Sequence, residues 1–142
     1  MSLAVIRFLV TVLITVVVEV LSIDMIRAQT QTVKEGVYSD AQARRGEALY
    51  GQQCVSCHSA DLSGSGAPPL AGTEFLSNWD KMALADLVEK IAVSMPSNSP
   101  GSLSRDQAAD LVAFILKSNK FPSGSADLEA DTAKLKTISI VK

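Results

Sequence analysis

Histidine is almost missing from this chain. Its 142 residues include one, His58, and only two cysteines, Cys54 and Cys57. A structural zinc site takes four nitrogen or sulfur ligands, and these three side chains are the whole stock, so such a site is ruled out. No lysine or arginine cluster marks a nucleic-acid surface, and the formal charge is only −2. There is no nucleotide signature, no substrate-pocket motif and no internal repeat. Roughly 85 residues between Ser39 and Pro122 remain for a core, which is small for one that must stand alone. A buried prosthetic group would supply much of the missing apolar area.

What is there begins with Cys54-Val55-Ser56-Cys57-His58. Two thiols three positions apart, followed at once by an imidazole, form the covalent attachment signature of a c-type haem. Each thiol can add to one of the porphyrin's two vinyl groups. The next residue can then set a nitrogen under the iron. A redox-active CxxC belongs beside a βαβ pattern, and no strand-rich stretch surrounds this pair. A structural disulfide between Cys54 and Cys57 is the bland alternative.

The first residues differ from all that follow. Arg7 precedes an apolar run from Phe8 to Val18, interrupted only by Thr11 and Thr15. Eleven residues fall short of the ~20 that a spanning helix takes. They suit the core of a signal peptide, with cleavage after Ala28. Residues 1–28 are read as that signal peptide. The minority reading is an uncleaved anchor from Leu3 to Ile23, and only then is a membrane a partner. Either way the remainder is expected outside the cytoplasm, in the periplasm or another extracytoplasmic space. Without Arg7, Arg27, Glu19 and Asp24 it keeps 11 basic and 13 acidic residues.

Residues 29–38 read as an N-terminal extension of the mature chain. Ser39 with Gln42 forms a capping box and opens a helix from about Asp40 to Gln53, which delivers its last turn into Cys54. Gly46 inside that helix costs about 1 kcal/mol against alanine and permits another backbone to come close. Residues 59–72, rich in glycine and carrying Pro68 and Pro69, read as a loop. A short helix follows from Gly72-Thr73, bearing Phe75, Leu76 and Trp79. Trp79 is either core filler or an N–H donor to a haem propionate. Leu84, Leu87, Val88 and Ile91 recur at helical spacing, with no Ser or Thr to cap their helix. Ser94-Met95-Pro96 ends it. A second capping box, Ser104 with Gln107, opens the last strong helix, whose apolar face is Ala108, Leu111, Val112, Ile115 and Leu116. Asn119 and Pro122 stop it. Residues 126–142 read as a C-terminal arm lying over the domain as an extended segment.

A haem iron so attached needs a sixth ligand, and the chain offers four methionines. Met1 and Met25 fall in the leader. Met82 sits near a helix start and is expected to pack in the core. Met95, on a rigid loop before Pro96, is the candidate, because His/Met is the pairing of electron-transfer cytochromes. Leu70, Phe75, Leu87, Ile91, Leu103 and Ile115 are the candidate apolar pocket.

Helix, Cys54–His58, proline loop, Trp79, Met95-Pro96 and final amphipathic helix, in this order, resemble a small class I cytochrome c over about residues 38–125. The resemblance implies an all-α cytochrome c fold, three to five helices around one covalently bound haem c with its iron, in a domain of residues 39–125. It implies that Gly46 and Tyr50 cross the last helix at Leu111 and Phe114. It also implies that the Pro68 carbonyl, two residues before Leu70, accepts from His58. Met95-Pro96 through Ser104, and Asn119 through Gly124, are similar to the cytochrome c domains that accompany quinoprotein alcohol dehydrogenases. The catalytic quinoprotein domain is absent from this sequence.

Two functions compete. One is an electron carrier with both axial positions filled, taking electrons from a dehydrogenase and passing them to an oxidase or another cytochrome. The other is a haem enzyme or gas sensor with an open sixth position, usually helped by a distal acid–base group. The only histidine is already spent, which favours the carrier. A haem subunit of a membrane complex is a third reading.

Overall fold

The computed structural model describes residues 31–142, so the signal-peptide or anchor segment expected over residues 1–28 lies outside the described residues. Six helices follow in chain order: α1 Asp40–Gln53, α2 Val55–His58, α3 Thr73–Trp79, α4 Leu84–Ser94, α5 Arg105–Ser118 and α6 Thr132–Lys136. Two strands of two residues, β1 Gln31–Thr32 and β2 Ile138–Ser139, pair in parallel near the two ends of the described chain. The class is all-α. The helix number exceeds the expected three to five because α2 is a single turn and α6 lies in the arm.

Ser39 caps α1, its hydroxyl accepting from the Gln42 N–H at 3.0 Å. The reciprocal half of the expected capping box does not form. Gln42 is only 2% exposed, and its amide turns to Leu128, donating to the carbonyl at 3.0 Å and accepting from the N–H at 2.6 Å. A buried amide must satisfy its polar atoms, and the backbone of the arm does so. At α5 the box is complete: Ser104 accepts from Gln107 N–H and Gln107 accepts from Ser104 N–H.

α1 and α5 cross at Gly46. A β-carbon there would overlap the Asp110 carbonyl and sit 3.0 Å from Phe114 Cβ. The missing side chain lets the two backbones meet. One turn on, the rings of Tyr50 and Phe114 pack with centroids 5.2 Å apart. Leu111, expected opposite Gly46, is instead buried in the core, and Asp110 takes the place against the glycine.

The arm is not merely extended. α6 and β2 carry Leu135 and Ile138, and these are buried together with Leu128 and Ile140. Ile140 donates to Met82 O at 2.9 Å and accepts from Lys81 N–H at 2.7 Å. This pairing anchors the start of α4, which has no side-chain cap. It also explains Met82, which was expected in the core and is 39% exposed. Its backbone serves the arm, while Leu84, fully buried, fills the core. The N-terminal extension closes on the same region. Tyr38 donates its hydroxyl to Phe121 O at 2.7 Å, and Gly36, at φ 70°, lies against Gly124, where a β-carbon would come within 3.1 Å of backbone.

Gly46→Ala is expected to destabilise the holoprotein. Helix propensity gains about 1 kcal/mol, but overpacking between two backbones costs about 1–3 kcal/mol and more where nothing can give. Denaturant unfolding should show a net loss; a net gain would mean that the helices can separate freely.

Candidate functional site

Local chain geometry builds the site from α2. Cys54 ends α1, its N–H donating to Tyr50 O at 2.9 Å, and the same residue opens α2. Within the turn, His58 N–H reaches Cys54 O at 2.9 Å and Ser59 N–H reaches Val55 O at 3.0 Å. One helical turn therefore carries both thiols and the imidazole. The following loop folds back on it: Gly64 N–H donates to His58 O at 3.0 Å, and Gly66 N–H to Cys57 O at 3.1 Å. Ser59 and Leu62 take left-handed backbone conformations, at φ 66° and 61°, which side chains rarely adopt. The Tyr50 hydroxyl donates to Ser59 O at 2.6 Å and pins this bend to α1.

His58 Nδ1 lies 2.9 Å from Pro68 O. A carbonyl oxygen can only accept, so Nδ1 carries the proton. The neutral ring then has its lone pair on Nε2, free for a metal. The Pro68 bond thus selects the tautomer as well as the ring orientation. Cys54 is half-buried and Cys57 exposed. As a free thiol Cys54 is pushed up to about 11, first by burial and then by neighbouring Cys57. Its surroundings favour an uncharged sulfur, which is what a thioether supplies.

The other candidates sit on separate elements. Leu70 is half-buried on the loop, its N–H donating to Leu62 O at 2.9 Å. Trp79 ends α3, half-buried, with its ring 6.2 Å from that of Phe75. Its indole N–H has no hydrogen-bond partner among the described residues. Met95 follows α4 directly, and its N–H closes the helix on Ile91 O at 3.1 Å. Cys54, Val55, Leu70, Trp79 and Met95 are alike in that they pack against the core and remain partly open. Phe75, Leu87, Ile91, Leu103 and Ile115, by contrast, lie in the buried core itself. The two thiols for attachment, the free Nε2 of His58 and the half-buried thioether of Met95 are a donor set that suits haem c. The residues present fit that group.

Sequence reasoning missed two polar groups here. Tyr50 was matched as a packing aromatic, and its hydroxyl bond to Ser59 was not foreseen. Asn119 was read only as a helix stop. Its amide donates to Leu70 O at 2.9 Å and accepts from Gly72 N–H at 3.0 Å. The signal for it was weak: asparagine at a helix end, with no hint of which loop it reaches.

Compared with known proteins, residues 41–115 match the family described as "Cytochrome C oxidase, cbb3-type, subunit III". Cytochrome c-551 of Bacillus subtilis (strain 168) is 32% identical over 93 residues, 66% of this chain and 78% of that protein. Among solved structures, a chain of the sulfane dehydrogenase SoxCD from Paracoccus pantotrophus aligns over 60% of this chain with 28% identity and a TM-score of 0.47. This chain covers 46% of that one, a likeness too partial to bear on function.

Both tyrosines should resist ionisation. Burial pushes Tyr50 up to about 12, with lesser contributions from Cys54 and Asp61. Tyr38 is raised by burial and then by Asp40. The folded state holds the neutral phenol, so the stabilisation is complete below the unfolded value near 10 and is lost as pH climbs from there through the folded values. Ultraviolet difference titration of native protein should show little tyrosinate at pH 10, and denatured protein about half. Equal curves would mean that both hydroxyls are open to water.

Proposed function

The chain belongs to the cytochrome c family, as a monohaem class I cytochrome carrying covalently bound haem c, and from that premise we propose that it is a one-electron carrier working outside the cytoplasm. The observation that carries the reading is the single turn of α2, with Cys54, Cys57 and a His58 ring whose Nδ1 is held by Pro68. When bound, haem c supplies a one-electron iron couple. Cys54 and Cys57 would hold it by thioether bonds, and His58 Nε2 and the Met95 sulfur would ligate its iron. Met95 leaves the end of α4 half-buried against the core, whereas Met82 is 39% exposed and, among the described residues, packs in no core cluster. Trp79 offers its N–H to a propionate. The apolar walls, Leu70 among them, disfavour the more charged ferric state, and methionine sulfur favours the ferrous one; both raise the potential.

Were His58 and Met95 both to ligate the iron, no position would be left for substrate or gas, as a carrier rather than a haem enzyme requires. The leader reading of residues 1–28 supports an extracytoplasmic site. Among the described residues no helix is long and apolar enough to cross a membrane. A dehydrogenase donor, in particular a quinoprotein dehydrogenase, rests on the likeness of Met95–Ser104 and Asn119–Gly124 to cytochrome domains of that class. The family's description names an oxidase subunit, which supports an oxidase as acceptor.

Haem should stay with the chain through denaturation in mass spectrometry. Met95→Ala should abolish the sulfur-ligation absorption band, open the iron to carbon monoxide and lower the potential, with haem still attached. Met82→Ala should do none of these. The reverse pattern would reassign the ligand, and free thiols in mature holoprotein would overturn the whole reading.

Docking should be nearly indifferent to salt. From Gly51 to Thr73 the one carboxylate or cationic side chain is Asp61, and from Val93 to Ser104 there is none. These two stretches bear the thiols, His58, Pro68 and Met95, and most of their residues are exposed apart from those turned into the core. With Asp61 the one charged side chain on these stretches to steer it, association with the donor should change less than about threefold from low to high ionic strength. Stopped-flow reduction by a quinoprotein dehydrogenase of the same cell is the measurement, with Ser97→Lys introducing a salt dependence. A steep slope in the unaltered protein would place the docking face elsewhere. Reduction no faster than by an unrelated flavoprotein would leave the donor unidentified.

A further inference from the structure

We propose that Asn119 is a positioning residue for the iron's imidazole ligand, acting through the Leu70–Gly72 backbone and the Pro68 carbonyl. The proposal rests on His58 being the proximal ligand.

The end of α5 does not need this side chain. Lys120 turns left-handed at φ 68°, Phe121 N–H reaches Leu116 O at 3.1 Å, and Lys120 N–H reaches Lys117 O at 2.9 Å. That is a Schellman closure made by backbone alone. The Asn119 amide is therefore free for other work, and its partners show what that is. Nδ2 gives one hydrogen to Leu70 O at 2.9 Å and the other to Ile115 O at 2.9 Å, while Oδ1 accepts from Gly72 N–H at 3.0 Å. The orientation is unique, because a flipped amide would set oxygen against two carbonyls and an NH2 group against an N–H. Ile115 is on its own helix. Leu70 and Gly72 belong to the loop that carries Pro68.

Beyond Gly66, whose N–H is tied to Cys57 O, that loop has few other hydrogen bonds to hold its place. Pro68 and Pro69 have no N–H to donate. Leu70 N–H is tied to Leu62 O at 2.9 Å, so Leu70 is fixed on both sides only while Asn119 holds its carbonyl. Pro68 O lies two residues upstream, 2.9 Å from His58 Nδ1. Hydrogen bonds weaken steeply beyond their normal range. A small shift of the loop would release the ring, make the imidazole a weaker donor and admit water to its proton.

The test uses holoprotein and two amide deletions. Asn119→Ala should speed exchange of the His58 Nδ1 proton, followed by NMR, at least tenfold, and move the potential upward. Gln42→Ala removes the other two-sided amide clamp, on Leu128, and should lower stability while leaving proton exchange and potential unchanged. Should Asn119→Ala not fold, Asn119→Ser, too short to span both loop partners, should give the same two changes. Loss of stability with neither change would reduce Asn119 to a structural cap and overturn the proposal. Failure of the underlying reading is separable: the unaltered protein would then show no iron-shifted histidine Nδ1 proton at all.

Discussion

The contact on which the rest depends is the crossing of α1 and α5 at Gly46. The peptide of Asp110 occupies the volume that any β-carbon at Gly46 would need. Two helices so close lock their relative rotation and translation, since neither can slide without backbone collision. Tyr50 and Phe114 add a ring contact one turn further along. The consequence reaches the site within four residues. Tyr50 sets the bend at Ser59 through its hydroxyl, and Tyr50 O receives the N–H of Cys54. Arg45 flanks this crossing, paired bidentately with Asp110 and also with Asp127, and so ties α1 to α5 beside the glycine contact.

Around this crossing, irregular segments are fixed by side-chain polar groups rather than by regular structure. Gln42 holds the arm by both polar atoms of its amide, Asn119 holds the proline loop in the same way, and Tyr38 and Tyr50 each spend a hydroxyl on a loop carbonyl. The reason is general. Loop backbone groups that leave water need partners, and a loop rich in glycine and proline makes few of its own. Each of these groups comes from α1, α5 or the one or two residues just outside them, so the two crossed helices serve as the frame to which the loops are tied.

This division explains what was legible in the sequence. Helices α1, α4 and α5 were readable because caps and 3.6-residue periodicity are local signals. The Cys54–His58 turn was readable because its chemistry lies in five consecutive residues. Gln42 misled because a capping box and a long-range clamp draw on the same side chain, and burial decides between them. The arm misled because a five-residue helix has almost no periodicity to detect. Met82 looked like core, and no sequence signal marks a backbone pairing 58 residues away with Ile140. The likeness to class I cytochromes c, rather than spacing, suggested the His58–Pro68 pair, and nothing in either suggested Asn119.

The arm then has a place in the same logic. α4 spans 11 residues, about 16 Å of axis. Its start has no side-chain cap and is tied by Lys81 and Met82 to Ile140. Its end hands the chain to Met95. A ligand side chain can be no better placed than the helix that presents it. His58, in turn, takes its support from Pro68, whose loop is bonded to Asn119 at the end of α5. His58 and Met95 are thus each anchored at a distance, Met95 through α4 and the arm and His58 through the loop of Pro68. A carrier gains from this because its ligand set can stay nearly unchanged between oxidation states, whereas a sensor or an enzyme would need one of the two anchors to let go.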